Sequence, residues 1–140
     1  FNQLTYWMNR QIIDDYPIEL VSPVDWTDDS QNINDRVRSY LDVNCGHCHS
    51  PTGNANSTGL YLHLDETRDI HLGFYKKPVA TGRGSGGLKY SIVPGKPDES
   101  ILLHRMISLD PGVMMPESGR ALSHTEAVEM VREWILVMED

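Results

Sequence analysis

Two cysteines three residues apart are the feature that most constrains this chain of 140 residues. Cys45 and Cys48 are the only cysteines in the sequence. A single pair so close together cannot form the framework of disulfides that stabilises many small secreted domains. His47 lies between the two cysteines and His49 follows the second directly. The segment Cys45–His49 is therefore a local chemical site and not a structural cross-link.

The spacing of this segment predicts the covalent attachment of one haem. A step of three residues places two thiols on one turn, where both can reach the vinyl groups of a single porphyrin. The histidine that follows the second thiol can then bind the iron. We therefore predict thioether bonds from Cys45 and Cys48 and an iron–imidazole bond from His49.

Two other kinds of site use the same residue types. Thiol–disulfide exchange enzymes also carry a Cys-Gly-His-Cys sequence, but they place a buried strand before it. Here residues 34–44 have the pattern of a polar amphipathic helix. A structural zinc site needs a second closely spaced ligand pair, and the histidines beyond the segment are too far apart for one. The ligands of such a site would come from Cys45, Cys48, His47, His49, His63 and His71.

The second axial ligand of a c-type iron is usually a methionine or another histidine. Met114 and Met115 lie in a loop before the last predicted helix, and Pro116 restricts the chain just after Met115. A loop methionine can approach an iron without bending a helix. We predict Met115 as the ligand, with Met114 as the alternative. The remaining candidates are histidines: His104 first, then His63 and His71.

Apolar residues recur at helical spacing in four segments of the chain. These segments are residues 1–16, 33–45, 97–108 and about 124–138. Asn32 or Asn34 can cap the second helix, and Ser123 with Glu126 forms a capping box for the last one. The sequence therefore predicts an all-α fold with long irregular loops. The third helix is expected to bury a stripe that consists of Ile101, Leu102, Met106 and Leu109.

The chain is expected to have two parts, an N-terminal extension or linker over residues 1–32 and one domain over residues 33–140. Residues 17–32 have the composition of an extended connector, and Trp26 within it is expected to pack onto the domain. Because Phe1 is not a start methionine, we interpret the chain as a mature or excised piece.

The charge of the chain excludes some partners. A net charge of −8 argues against nucleic acid, whose phosphates favour a basic surface. No apolar run approaches the roughly 20 residues that a membrane-spanning helix needs. Residues 76–105 hold six of the twelve lysines and arginines. We interpret this basic zone as a solvated face; the alternative is a zone beside buried carboxylates such as haem propionates.

Four segments taken together resemble class I-like bacterial cytochrome c domains, closest to the planctomycete-type modules of larger secreted proteins. They are Cys45–His49, Val93–Leu102, Met114–Pro116 and Leu122–Ile135. The resemblance covers about residues 33–138. The chain differs from many members at Ser50, where they have glycine, and in its doubled methionine. Its loop over residues 65–90 is also long, and it includes Lys76, Lys77 and Arg83.

The resemblance implies cytochrome c-like helices around one covalent haem. The methionine of the Met-Pro pair is the distal ligand in that family, and it corresponds to Met115. Trp134-Ile135 is then expected to pack near the first helix of the domain. The implied role is electron transfer and not catalysis, with a quinoprotein dehydrogenase, a copper oxygenase or a terminal oxidase as partner. Haem attachment outside the cytoplasm implies a periplasmic or secreted location.

Several side chains are candidates for hydrogen bonds to the haem propionates, because each can donate to a carboxylate. These candidates are Tyr90, Arg83, Arg120, Trp26 and Lys96. The alternative function is a haem enzyme or gas-binding sensor with a labile sixth ligand, which requires Met115 to be a poor ligand. No acid–base cluster flanks the loop of Met115, which disfavours that function. Thiol–disulfide exchange is the third hypothesis.

Overall fold

The computed structural model describes residues 2–17, 20 and 22–139, and this part of the chain is mainly helical. Its α-helices are α1 (Gln3–Asn9), α2 (Ile33–Leu41), α3 (Asp69–Leu72), α4 (Ile101–Ile107) and α5 (Thr125–Leu136). Short 3-10 turns cover Asn56–Thr58, Gly82–Ser85 and Pro97–Glu99. The described residues form no strand, only two isolated bridges. The predicted all-α class with long irregular segments is confirmed for this part.

Helix α2 delivers the chain to the cysteine segment. The side chain of Asn32 accepts a hydrogen bond from the Asn34 N–H at 2.8 Å, so Asn32 is the cap. Val37 and Leu41 are fully buried, as their helical spacing predicts. A wider π-helical turn over Asp42–Gly46 continues α2 and carries the first cysteine.

Helices α2 and α4 both pack against α5 and enclose the hydrophobic core. Trp134 of α5 is 4% exposed, and its indole N–H donates to the Asn34 Oδ1 of α2 at 3.1 Å. This contact confirms that Trp134 packs near the first helix of the domain. The core consists of Val37, Tyr40, Leu41, Leu62, Ile92, Leu103, Met106, Ala127, Val128, Met130, Val131, Trp134 and Ile135.

Helix α4 is shorter than the sequence predicts. Ser100 has an extended backbone, with φ −100° and ψ 120°, and it separates the Pro97–Glu99 turn from the helix. The buried Ser100 hydroxyl accepts from the Val93 N–H and donates to the Lys96 carbonyl, both at 2.9 Å. These bonds stabilise the break in the helix because they satisfy main-chain groups that a continuous helix would pair differently.

The predicted apolar stripe of α4 is partly wrong. Ile101 and Met106 are buried as expected, but Leu109 is 55% exposed. Helix α4 ends at Ile107, so Leu109 lies beyond it and no longer follows its periodicity. Leu103, which is 1% exposed, lies in the core in place of Leu109.

The capping box predicted for the last helix is also wrong. Helix α5 begins at Thr125, and His124 before it makes no side-chain capping bond. The Ser123 hydroxyl donates instead to the Met106 carbonyl at 3.2 Å. That carbonyl belongs to the last turn of α4, where helix carbonyls lack partners within the helix. Ser123 therefore joins two helices and does not begin one.

Trp26 attaches the segment before α2 to the core, as the sequence predicts. Its ring lies edge-on to Tyr40 and His124, with centroid distances of 5.5 and 5.1 Å. Arg36 of α2 donates from Nε to the Trp26 carbonyl at 2.8 Å and pairs with Asp29 at 2.6 Å. The domain boundary at residue 32 stays a prediction, since the residues around Trp26 share contacts with the core.

Helix α1 confirms the predicted helix near the N-terminus, although no residue of it is buried. The Asn2 side chain caps it by accepting from the N–H groups of Leu4 and Thr5 at 3.0 and 3.1 Å. Of the helices in the described ranges, none is long and apolar enough to cross a lipid bilayer.

We predict that Trp26→Ala lowers the free energy of unfolding by about 2 kcal/mol. Truncating a fully buried aromatic costs about 3–5 kcal/mol, and Trp26 is only half-buried. Urea denaturation followed by circular dichroism measures the change. The control is Leu20→Ala, whose side chain is 53% exposed and which should change stability by less than about 0.5 kcal/mol. An unchanged midpoint for Trp26→Ala would contradict this role.

Candidate functional site

A cleft of about 1000 Å³ lies between the cysteine segment, helix α4 and residues 115–122. This volume is at the upper end of the range of about 300–1,000 Å³ for small-molecule and cofactor sites. Cys45, Cys48, His49 and Met115 all line it. Its apolar lining includes Leu60, Leu62, Ile101, Leu102, Met106 and Val128.

Main-chain hydrogen bonds fold the chain after Cys48 back onto the cysteine segment. The His49 N–H donates to the Cys45 carbonyl at 2.8 Å, which closes a helical turn. The Ala55 N–H donates to the Cys48 carbonyl at 3.0 Å, and the Leu62 N–H donates to the His49 carbonyl at 2.8 Å. These bonds hold both thiols and the imidazole on one wall of the cleft.

Arg38 and Asp42 of the preceding helical segment support that wall from behind. Arg38 Nη2 donates to the carbonyls of His63, Leu64 and Glu66 at 2.9, 3.0 and 2.8 Å. Asp42 Oδ1 accepts from the Leu64 N–H at 2.8 Å. One helix face thus binds the irregular chain that follows Leu62, so α2 positions both the cysteines and the segment beside them.

The Cys45 thiol does not have the lowered pKa of a reactive cysteine in an exchange enzyme. Burial, and secondarily the charge of Cys48, raises the pKa of the Cys45 thiol to about 12. Reactive cysteines in exchange enzymes have a lowered pKa, because the thiolate is the nucleophile. The segment also follows a helix, and the described residues place no strand before it. Both observations weigh against thiol–disulfide exchange.

The His49 imidazole is well suited to bind a metal. Burial is the main cause that lowers its pKa, so the ring is held neutral, which is the form that coordinates metals. The charge of Arg105 contributes to the same lowering. The backbone of Leu60 opposes this lowering through a hydrogen-bonding contact with the ring. The buried Nδ1 atom makes no regular hydrogen bond in the described residues.

Met115 is held in the cleft by the C-terminal end of α4. Its N–H donates to the Arg105 carbonyl at 3.0 Å. The Arg120 guanidinium donates to the carbonyls of Met106 at 2.8 Å and Arg105 at 3.1 Å, and also to that of Ser108. Arg120 thereby satisfies the free carbonyls of the last turn of α4 and fixes the loop after it.

The other candidates for the second axial ligand lie elsewhere. Met114 is half-buried but does not line the cleft. His71 stacks on Tyr61 with ring centroids 4.8 Å apart, and its Nδ1 pairs with the Gly59 carbonyl at 2.8 Å. The choice of Met115 stays a prediction. Of the candidates, Met115 is the one that lines the cleft. The remaining two candidates, which also lie outside the lining, are His63 and His104.

Of the candidates for propionate contacts, only Arg120 lines the cleft. Arg83 donates two hydrogen bonds to Asp110, both at 3.1 Å. Tyr90 lies edge-on to Tyr75, with a centroid distance of 5.8 Å. The proposed roles of Arg83 and Tyr90 stay predictions that this geometry does not favour. The same holds for the last two candidates, Trp26 and Lys96.

Three charged residues that line the cleft have no role that the sequence predicts: Lys76, Arg105 and Glu117. No motif or spacing marks them, since their side chains come together from distant loops and a helix. The only signal was the basic zone over residues 76–105, which includes Lys76 and Arg105.

The described residues provide no set of ligands for the alternative of a structural zinc site. No group of three or more His, Cys, Asp or Glu side chains there lies close enough together to hold a metal ion. His49 shares the cleft with the two thiols, but His63 and His71 do not line it.

Comparison of the chain with protein-family models, with curated proteins and with solved structures found no match. The resemblance to cytochrome c domains therefore rests on the four segments of the sequence.

We predict that Gly53→Ala destabilises the cysteine segment by about 2 kcal/mol, within the usual range of overpacking. A Cβ atom at Gly53 would lie 2.6 Å from the Cys48 carbonyl carbon and 2.8 Å from the His47 carbonyl oxygen. Neither backbone atom can move without opening the turn. The free energy of unfolding from urea titration measures the effect.

The control for Gly53→Ala is Gly112→Ala. There the three atoms nearest to the added Cβ belong to the flexible end of the exposed Arg83 side chain, which can move at the cost of its ion pair with Asp110. The expected cost is below about 1 kcal/mol, the usual worth of an exposed ion pair. Equal stabilities of the two variants would show that the turn at Gly53 is not tightly packed.

Glu66 is expected to make the stability of the segment beside the motif depend on pH. The hydrogen bond from Arg68 is the largest cause that lowers the pKa of Glu66 to about 2, from an ordinary 4.5. Arg68 donates to both carboxylate oxygens, at 2.8 and 2.7 Å. Because the folded-state pKa is lowered, this stabilisation is fully present above pH 4.5 and is lost as the pH falls towards 2.

Accordingly, Glu66→Gln should be less stable than the wild type at pH 6, and the difference should shrink between pH 4.5 and 2. Urea denaturation at a series of pH values measures it. The exposed neighbour Asp65, as Asp65→Asn, serves as the control and should not reproduce the profile. A difference that is constant across this range would rule out the carboxylate as its cause.

Proposed function

We propose that this chain is a mono-haem c-type cytochrome domain, similar to class I-like bacterial cytochrome c modules, that acts in electron transfer. The observation that carries the proposal is the shared cleft. Cys45, Cys48 and His49 line one side of it, and Met115 comes from a loop about seventy residues later in the chain. This set matches the donors that a covalent haem with His/Met ligation requires.

Each side chain has a proposed role. Cys45 and Cys48 would hold the haem through thioether bonds, and His49 and Met115 would be the axial ligands. The bound haem supplies an iron that takes up or releases one electron. Burial keeps the His49 imidazole neutral and available as a ligand. Arg120 and the Arg105 carbonyl hold the main chain of Met115 in place.

The apolar lining supports the same function. Leu60, Leu62, Leu102, Met106 and Val128 line the cleft, so much of its surface is apolar. A poorly solvated site disfavours the extra positive charge of ferric iron, and therefore favours a high potential. A methionine ligand acts in the same direction relative to a second histidine.

Partners and location follow from the resemblance alone. We propose a redox protein as donor and another as acceptor, with a quinoprotein dehydrogenase, a copper oxygenase or a terminal oxidase as the partner classes. We propose a periplasmic or secreted location, since haem is attached to such motifs outside the cytoplasm in that family. The chain itself is proposed to be an electron carrier and not an enzyme.

The test is the absorption spectrum and intact mass of protein produced with a periplasmic haem-attachment system. We expect a low-spin spectrum and a mass that exceeds the polypeptide mass by one haem after acid–acetone extraction. Cys48→Ser should sharply lower the covalent yield. The double variant Cys45→Ser/Cys48→Ser should retain no haem after extraction.

Other outcomes separate the alternatives. High-spin haem in the wild type would favour a haem enzyme or gas-binding sensor with a labile sixth ligand. Protein that matures without haem, and whose thiols exchange readily with a disulfide reagent, would instead favour thiol–disulfide chemistry.

We predict that Met115→Ala keeps its haem but becomes high-spin, binds carbon monoxide in the ferrous state and has a lower midpoint potential. The reason is the loss of the thioether ligand, while the attachment through the cysteines is unaffected. Visible spectroscopy and a redox titration measure these changes. Met114→Ala is the matched control and should keep the wild-type spectrum. The reverse pattern in the two variants would assign the ligand to Met114.

A further inference from the structure

The cleft is lined by positive charge although the chain as a whole is acidic. The net charge of the protein is −8. Apart from histidines, the charged residues that line the cleft in the described structure are Lys76, Arg105, Arg120 and Glu117. Three cations and one carboxylate therefore face a largely apolar space. A charge balance opposite to that of the whole protein suits a ligand that carries a negative group.

Arg120 is already committed to the protein itself. Its guanidinium donates to three main-chain carbonyls of residues 105, 106 and 108. Three of its five N–H groups are used in this way, and its buried Nε atom has no partner in the described residues. Arg120 therefore keeps fewer free donors than Arg105, and its role as a propionate contact stays a prediction.

Arg105 is held in place but keeps most of its donors. Its Nε atom donates to the Val113 carbonyl at 2.8 Å. Its guanidinium also lies against Gly84, where an added Cβ would be 3.3 Å from Cζ. The Nη1 and Nη2 atoms have no hydrogen-bond or ion-pair partner in the described residues, although the side chain is half-buried. Burial lowers the pKa of this guanidinium, and Glu117 opposes that effect.

Arg105 fits a carboxylate better than Lys76 does. The planar guanidinium presents two parallel N–H donors that match the two oxygens of a carboxylate. The contacts with Val113 and Gly84 restrict its orientation, so little freedom is lost on binding. Lys76 offers a compact charge on a flexible stem, which suits it to attract an anion more than to orient one.

Resting on the proposed haem attachment, we propose that Arg105 binds a propionate carboxylate of the haem through its two terminal nitrogens. The Val113 carbonyl and the main chain of Gly84 orient the guanidinium for this bond. Because the Arg105 carbonyl also accepts from the Met115 N–H, one residue connects the carboxylate site with the loop of the distal ligand. The basic zone over residues 76–105 thus includes a binding residue and is not only a solvated face.

The experiment compares haem-loaded wild type with Arg105→Gln by redox titration between pH 4 and 9. Loss of a positive charge near the iron should lower the midpoint potential at pH 7. A carboxylate beside an arginine has its pKa lowered by about 1–3 units. The midpoint potential changes with pH where the propionate titrates. In Arg105→Gln this change should therefore occur at a pH about 1–3 units higher than in the wild type.

Two further variants separate charge from structure. Arg105→Lys keeps the charge but loses the fork and the bond to Val113, so it should restore most of the potential at pH 7. Arg83→Gln removes an arginine that pairs with Asp110 outside the cleft, and it should match the wild type. Arg105→Gln with an unchanged potential and pH profile would overturn the proposal. Equal losses in Arg105→Gln and Arg105→Lys would also overturn it, since they indicate a purely structural role.

If the proposed haem attachment is wrong, the wild type itself will carry no covalent haem, which is observed before any Arg105 variant is made.

If Arg105→Gln gives no folded holoprotein, proton NMR of the ferric wild type tests the contact between Arg105 and the haem instead. The guanidinium signals of Arg105, assigned by their loss in Arg105→Lys, should be shifted by the nearby paramagnetic iron. Signals at ordinary positions would place the guanidinium away from the haem and refute the assignment.

Discussion

Arginine side chains satisfy main-chain carbonyl groups behind both walls of the cleft, in the irregular chain after Leu62 and at the C-terminal end of α4. A buried carbonyl without a partner is costly, and loops cannot pair their main chain as helices do. Arg38 donates to three carbonyls behind the cysteine segment. Arg120 donates to three more behind the loop of Met115. Each wall of the cleft is thus stabilised by one guanidinium that replaces regular hydrogen bonding.

The cleft and the hydrophobic core share residues. Leu62, Met106 and Val128 belong to the buried cluster of the three packed helices and also line the cleft. The haem proposed for this cleft would add apolar surface beside these side chains. Covalent attachment also suits a fold with long irregular segments, since the bond holds the group where little protein covers it.

The charged residues of the cleft are mostly basic, whereas the protein as a whole is acidic. The protein is acidic overall, yet the cleft presents Lys76 and Arg105 beside the single carboxylate of Glu117. A net negative charge favours association with partners that present a basic face. The cations inside the cleft would neutralise carboxylates of the proposed haem, and apolar surroundings strengthen such contacts.

Local patterns determined much of this protein from its sequence. The spacing of Cys45, Cys48 and His49 predicts the chemistry of the site, and helical periodicity correctly places α2 and α5. The cap at Asn32 was predictable because it involves neighbouring residues only. The loop context of Met115 and the adjacent proline predict it as a ligand, and it lines the same cleft as His49.

Only the tertiary structure decided which polar groups meet across the chain. Ser100 interrupts a predicted helix because its hydroxyl pairs with Val93 and Lys96, and Ser123 binds a carbonyl of α4 instead of capping α5. Arg105 lines the cleft whereas Arg83 does not, although both lie in the same basic zone. Such outcomes depend on partners far apart in sequence, and neither spacing nor composition records those distances.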